Sequence, residues 1–292
     1  MRHLPFEAHA APLVGDDAVA YRALSAGPPI LFCGGLATGV VGFHHQIAHL
    51  EGRYRSLAWE YRGLRAPSRA SSSAATARSI EQHAADAVGI IDNERAPRVA
   101  IVGWSLGVQV ALEIFRRAPQ RVALLVLVSG GARAAWGSSP DAGLIRRTYP
   151  KLFTALAHAP TLATRALRAG ARSPEAFTWA RRVGLVGPGL DADLFAEGAR
   201  SFADLVVHAL LGTLQAMEQH DATDLLAEID VPTLVIGGDR DPFTSRSALE
   251  RLVNGIRGAE YLLLPGAGHF VLLDHAQHVN LRIDKLLSER GY

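Results

Sequence analysis

Short, nearly all-apolar runs, each long enough for one strand, alternate with helical patterns along much of this 292-residue chain. Residues 18–24 (AVAYRAL), 29–33 (PILFC), 54–60 (YRSLAWE), 98–104 (RVAIVGW) and 121–129 (RVALLVLVS) read as strands. Their near-continuous apolarity predicts strands covered on both faces, as in a parallel sheet. Between them, residues 80–92 (IEQHAADAVGIID) and 106–118 (LGVQVALEIFRRA) carry apolar side chains at three-to-four spacing and read as helices. That alternation predicts a doubly wound, mostly parallel α/β sheet.

The rhythm breaks at Ala134 and resumes after Ala222. The intervening stretch offers only helical segments, punctuated by Pro140, Pro150, Pro160, Pro174 and Pro188. The strongest is expected from Ser201 to Met217, with Phe202, Leu205, Val206, Leu210, Leu214 and Met217 on one stripe. Strands then return at 232–238 (PTLVIGG) and 260–265 (EYLLLP), with helices near 245–255 and 276–289. The organisation expected is an α/β core of residues 1–133 and 223–292, with a helical cap inserted at 134–222.

Composition removes several function classes. With 49% hydrophobic and 20% charged residues and a formal charge of +2, the chain is an ordinary globular protein with no basic excess to bind nucleic acid. Its longest wholly apolar run, 122–128, falls far short of the ~20 residues of a membrane span. The N-terminal stretch lacks the apolar segment of a signal peptide, so a cytoplasmic location is expected. The single cysteine, Cys33, excludes an internal disulfide and a cysteine metal cluster, and its setting (ILFC) reads as core.

Residues 98–115, RVAIVGWSLGVQVALEIF, interrupt an apolar run with Ser105 between Gly103 and Gly107. A strand turning abruptly into a helix would hold such a serine in a strained conformation, with glycines where other side chains collide. The helix N-terminus would point free amides at the serine oxygen. A serine hydroxyl is a weak nucleophile near neutral pH and needs a base and an orienting acid. Downstream, Asp241 (VIGGDRDPF) follows one strand and His269 (LLLPGAGHF) follows the next, both beyond strand C-termini where sites form in open α/β sheets.

These residues, in the order Ser, Asp, His, resemble the α/β-hydrolase superfamily. The loop in ILFCGGLATG (30–39) is similar to that family's oxyanion loop, with Gly34 where many members carry histidine. The segment WEYRGLRAPSRA (59–70) is similar to its D-x-R-G-x-G-x-S segment, with Glu60 and Arg65 as departures. The resemblance implies a Ser105–His269–Asp241 triad and oxyanion-hole amides on Leu36 and Leu106. Its G-x-x-D spacing from Gly238 selects Asp241 over Asp239, which is expected to hold its own loop. No acid follows the preceding strand (SGGARAAW) to offer another location.

The activity implied is hydrolysis of a carboxylic ester, lactone or thioester through an acyl-enzyme on Ser105, with neither metal nor organic cofactor. The same constellation also serves acyl transfer, cofactor-free perhydrolase or haloperoxidase chemistry, carbon–carbon bond hydrolysis, or a non-catalytic small-molecule receptor. The partner expected is a small-molecule acyl substrate. Residues 131–190 hold nine Arg or Lys and two Asp or Glu, while 191–230 hold one and nine. Two oppositely charged surfaces that pack together explain this, and so does an arginine-lined entrance for an anionic or carrier-bound substrate. His44, His45 and His49 read as surface histidines, and Asp86 as a hydrogen-bonded structural residue.

Overall fold

The computed structural model describes residues 4–13, 18–36, 38–65, 78–134 and 160–292. Eight strands form one sheet: β1 Glu7–Pro12, β2 Ala18–Leu24, β3 Pro29–Cys33, β4 Arg55–Trp59, β5 Val99–Trp104, β6 Val122–Val128, β7 Thr233–Gly238 and β8 Glu260–Leu264. Their order is β1-β2-β4-β3-β5-β6-β7-β8. The β1–β2 and β2–β4 pairs are antiparallel and the other five parallel.

The apolar strands divide their side chains between two faces with period two. Ile101, Leu125 and Leu127 pack with α2 (Ile80–Asn93) and α3 (Leu106–Arg117). Ala100, Val102, Val126 and Val128 turn the other way, toward α1 (His44–Leu50) and the C-terminal helix. Capping defines the start of α2: the Ser79 hydroxyl accepts from the Gln82 amide while the Gln82 side chain accepts from the Ser79 amide. Asp86, buried on that helix, receives the Arg62 guanidinium, with Nε 2.7 Å from Oδ2.

Between β6 and β7 the described chain is helical: α4 Pro160–Ala171, α5 Ala176–Arg182, α6 Ala192–Ala203 and α7 Val207–Gln219. Beyond β7 come α8 (Arg246–Gly255), α9 (Val271–Asp274) and α10 (Ala276–Glu289). The two ends of the insertion meet at its root. There the Ala222 amide donates to the Ala132 carbonyl at 2.9 Å, and Arg133 pairs with Asp221 as an antiparallel bridge. Its basic and acidic parts also touch, through Arg168 Nε to the Ala203 carbonyl and Arg172 to Asp204.

Two expectations needed correction. The stripe from Ser201 to Met217 is not one helix; it breaks at residues 204–206 between α6 and α7. Leu205 is buried there in a bridge with Arg65, and the Val206 amide donates to the Leu64 carbonyl at 2.9 Å. Arg65 also donates to the Ser201 carbonyl and hydroxyl, so a distant loop overrides the helical period. The histidines of α1 are not all on the surface either: His44 is buried and its pKa lowered by burial, while His49 pairs with Asp284. Among the described residues, no helix is long and apolar enough to cross a membrane.

Candidate active site

Chain order reverses between β3 and β5. The chain leaves β3 to build β4 on one side, then returns to lay β5 on the other. A crevice opens at the strand C-termini wherever two neighbouring strands send their exits to opposite sides. Into this one project the residues after β3, at Gly34–Leu36, and Ser105 after β5.

Ser105 stands at φ 56° and ψ −115°, a left-handed position that costs a non-glycine residue of order 1–3 kcal/mol. It is held there from both sides. Its amide donates to the Val128 carbonyl of β6 at 2.9 Å, and its carbonyl accepts from the Val108 amide in the first turn of α3. The flanking glycines follow from close backbone approach. A Cβ on Gly103 would lie 2.4 Å from the Gly107 carbonyl oxygen, and one on Gly107 would lie 1.9 Å from that of Cys33.

The hydroxyl meets a histidine from the far end of the chain. His269 Nε2 lies 2.9 Å from Ser105 Oγ, and Nδ1 lies 2.8 Å from Asp241 Oδ2. With the carboxylate accepting from Nδ1–H, the network assigns Nε2 as the free acceptor facing the hydroxyl. The Asp241 side chain is fully buried, and its Oδ1 accepts from the Phe243 and Thr244 amides, leaving Oδ2 directed at the imidazole. Thr244 is tied in turn to the Ser129 carbonyl at the end of β6. Asp239 points elsewhere: it accepts from the Gly266 amide at 2.6 Å and joins the exits of β7 and β8. The Leu36 and Leu106 amides have no hydrogen-bond partner among the described residues.

Of the contacts that position the site, the sequence offers Trp104, before the serine, as packing beneath it or lining an acyl pocket, and holds no signal for the others. Trp104, buried under the site, donates from Nε1 to the His269 carbonyl at 3.1 Å. The His269 amide donates to the carbonyl of Leu185, in the helical insertion. Asp274, on α9, accepts from the Gly187 amide at 2.6 Å and so binds the insertion to the histidine segment a second time. Burial raises the Asp274 carboxyl above its usual range. The folded chain therefore takes up this proton more readily than the unfolded one, a contribution that favours folding at low pH and is lost as pH rises through the folded pKa. The melting temperature of the parent minus that of Asp274→Asn is expected to grow from neutral to about pH 4.5. A difference that is flat or shrinks toward acid would contradict this.

A cleft opens beside Ser105, lined by Gln109, Ser129, Arg133, Met217 and Phe243 among others. Farther off, Glu81, Glu113 and His220 place ligand atoms within 4.8 Å of one another, as a cation would need. Arg116 already donates to Glu113 Oε1 at 2.9 Å, beside His220 Nε2 at 3.0 Å, and that guanidinium supplies the positive charge. The group ties the C-terminal root of the insertion to α3.

Residues 28–276 match the sequence model of the alpha/beta hydrolase fold. The chain belongs to the alpha/beta hydrolase family. RutD of Azorhizobium caulinodans, provisionally named a carbamate hydrolase, is 26% identical to this alpha/beta hydrolase over 87% of its chain and 89% of the relative. A pimeloyl-[acyl-carrier protein] methyl ester esterase of Neisseria meningitidis is 31% identical over 66% of this chain and 70% of its own. The solved esterase EaEST of Exiguobacterium antarcticum shares the alpha/beta hydrolase fold, with a TM-score of 0.76 at 20% identity, covering 98% of this chain and all of that one.

Proposed function

We propose that this alpha/beta hydrolase is a serine hydrolase that cleaves a carboxylic ester, lactone or thioester through an acyl-enzyme on Ser105. The continuous hydrogen-bonded chain from the Ser105 hydroxyl through His269 to buried Asp241 carries this reading. Oγ attacks the acyl carbon and passes its proton to His269 Nε2, while the carbonyl electron pair moves onto oxygen. Collapse of that intermediate expels the alcohol or thiol, which leaves with the proton from Nε2. Water then repeats the sequence on the acyl-enzyme, and the acid is released.

Leu36 and Leu106 supply the oxyanion amides, each contributing about 3–4 kcal/mol to the transition state when well placed. Asp241 holds the imidazole tautomer and stabilises the imidazolium. Residues 134–222 act as a cap on a core of 1–133 and 223–292. The junction between Ala132–Arg133 and Asp221–Ala222 supports those limits. The relatives' names range over carbamate and methyl ester cleavage, which suits an acyl-transfer mechanism whose leaving group is set by the cleft.

Two experiments test the reading. A fluorophosphonate probe is expected to label the parent at Ser105 and to leave Ser105→Ala unlabelled; labelling elsewhere in the alanine variant would sink it. Asp241→Asn is expected to lower kcat about 10⁴-fold with the fold intact, by favouring the wrong tautomer. Asp239→Asn keeps an oxygen to accept from the Gly266 amide and is expected to change kcat less than about 5-fold, because that contact lies outside the proton path. A large loss in Asp239→Asn with little loss in Asp241→Asn would return the choice of acid to Asp239, and equal losses would overturn the assignment of Asp241 alone.

A further inference from the structure

The described lining of the cleft beside Ser105 contains one ionisable side chain, Arg133. Its position is fixed by the chain entering the insertion, where Ala132 and Arg133 pair with Asp221 and Ala222 across the root. Its acidic neighbour satisfies it poorly. Arg133 Nη1 is 3.8 Å from Asp221 Oδ2, and the two side chains are 63% and 49% exposed. Asp221 spends its other oxygen on the Thr223 amide and hydroxyl. A guanidinium with an incomplete, solvated partner can accept a planar oxyanion through two parallel N–H donors. The cleft also borders two buried polar atoms with no partner among the described residues, Ser129 Oγ and Gln109 Oε1. Gln109 Nε2 is committed to the Met217 carbonyl, so its oxygen stays an acceptor and accommodates a hydroxyl or a water rather than a charge. Arg133 is then the place in this cleft for a negative group.

We propose that Arg133 is a specificity-determining residue that selects acyl substrates bearing a carboxylate, which its guanidinium binds while Ser105 attacks the ester at the other end. The proposal rests on the serine-hydrolase reading. It adds a substrate class, acidic monoesters of dicarboxylic acids, and assigns Asp221 the role of a competitor for the same guanidinium.

The test compares monomethyl esters of the succinate-to-suberate series with methyl esters of the matching unbranched fatty acids, following acid release. For the best chain length, the parent is expected to show a KM about 10-fold lower for the acidic ester, the size expected of one charge-assisted pair. Arg133→Gln is expected to bring the KM ratio close to one, and Asp221→Asn to widen it. Arg172→Gln, which removes the same charge from an exposed site on the insertion, is expected to leave the ratio near that of the parent. A parent ratio of one, or a collapse caused equally by Arg172→Gln, would overturn the proposal, the latter by assigning the effect to the overall field. Calorimetric binding of the same ester pairs to Ser105→Ala gives a readout that needs no turnover. Acidic esters bound in preference there, without hydrolysis by the parent, would reject the serine-hydrolase reading and keep the Arg133 site. Hydrolysis with no acidic preference in either assay would do the reverse.

Discussion

Replacing Ser105 with alanine is expected to lower kcat on an activated ester about 10⁶-fold, close to the loss seen when a nucleophile is removed from other such triads. Without Oγ there is no atom to form the acyl-enzyme, and His269 Nε2 loses the hydroxyl 2.9 Å away from which it would take a proton. On the proposed reading the Leu36 and Leu106 amides would remain, and an intact oxyanion site typically sustains about 10³–10⁴-fold over water. Stability should barely change, since alanine keeps the left-handed backbone of Ser105 at φ 56°. Glycine relaxes that backbone. Ser105→Gly is therefore expected to be as inactive as the alanine variant yet to melt higher, by about 1 kcal/mol of recovered strain. Steady-state kinetics with urea melts of both variants check this, and a serine-free enzyme retaining more than about one part in 10⁴ of its activity would refute it.

The second large effect concerns the fold. Gly107→Ala is expected to destabilise the chain by at least about 4 kcal/mol, a large share of the 5–15 kcal/mol typical of a domain. The added Cβ would sit 1.9 Å from the Cys33 carbonyl oxygen at the end of β3 and 2.9 Å from that of Gly34 in the loop that follows, which runs on to Leu36. Relief requires α3 to move off β3, which would part the Leu36 and Leu106 amides proposed above as oxyanion donors. Gly198→Ala gives the contrast: on α6, with open space around it, the same methyl is expected to stabilise by about 0.5–1 kcal/mol. Denaturant midpoints of the two variants should move in opposite directions, and a Gly107→Ala protein as stable as the parent would mean the serine turn is looser than its geometry.

Much of this layout could be read from residue order because the physics there is local. A fully apolar strand such as Val122–Val128 announces burial on both faces. Positions 105 and 269 could be named because each follows a strand into a polar or glycine-rich turn, whereas Asp241 is separated from Asp239, after the same strand, only by the spacing of the α/β-hydrolase resemblance. Strand β1 (EAHAAP) carries no such signal: it is alanine-rich, ends in proline and lies at the sheet edge, where pairing with β2 shapes it. The break at 204–206 was equally hidden, since its cause is Arg65, more than a hundred residues away. Trp104, Leu185 and Asp274 act on His269 or its segment through backbone contacts that any sequence could make, and only the folded chain shows who meets whom.

The grip of Leu185 and Asp274 on the His269 segment has a kinetic consequence. An insertion hydrogen-bonded to the His269 segment at two places has no independent hinge on that side. On the serine-hydrolase reading proposed above, any swing of residues 134–222 wide enough to admit a bulky guest would first have to loosen the imidazole, so entry and proton transfer would alternate in time. Turnover of large substrates should then be limited by refastening, and small ones that slip past the closed strap should escape that limit.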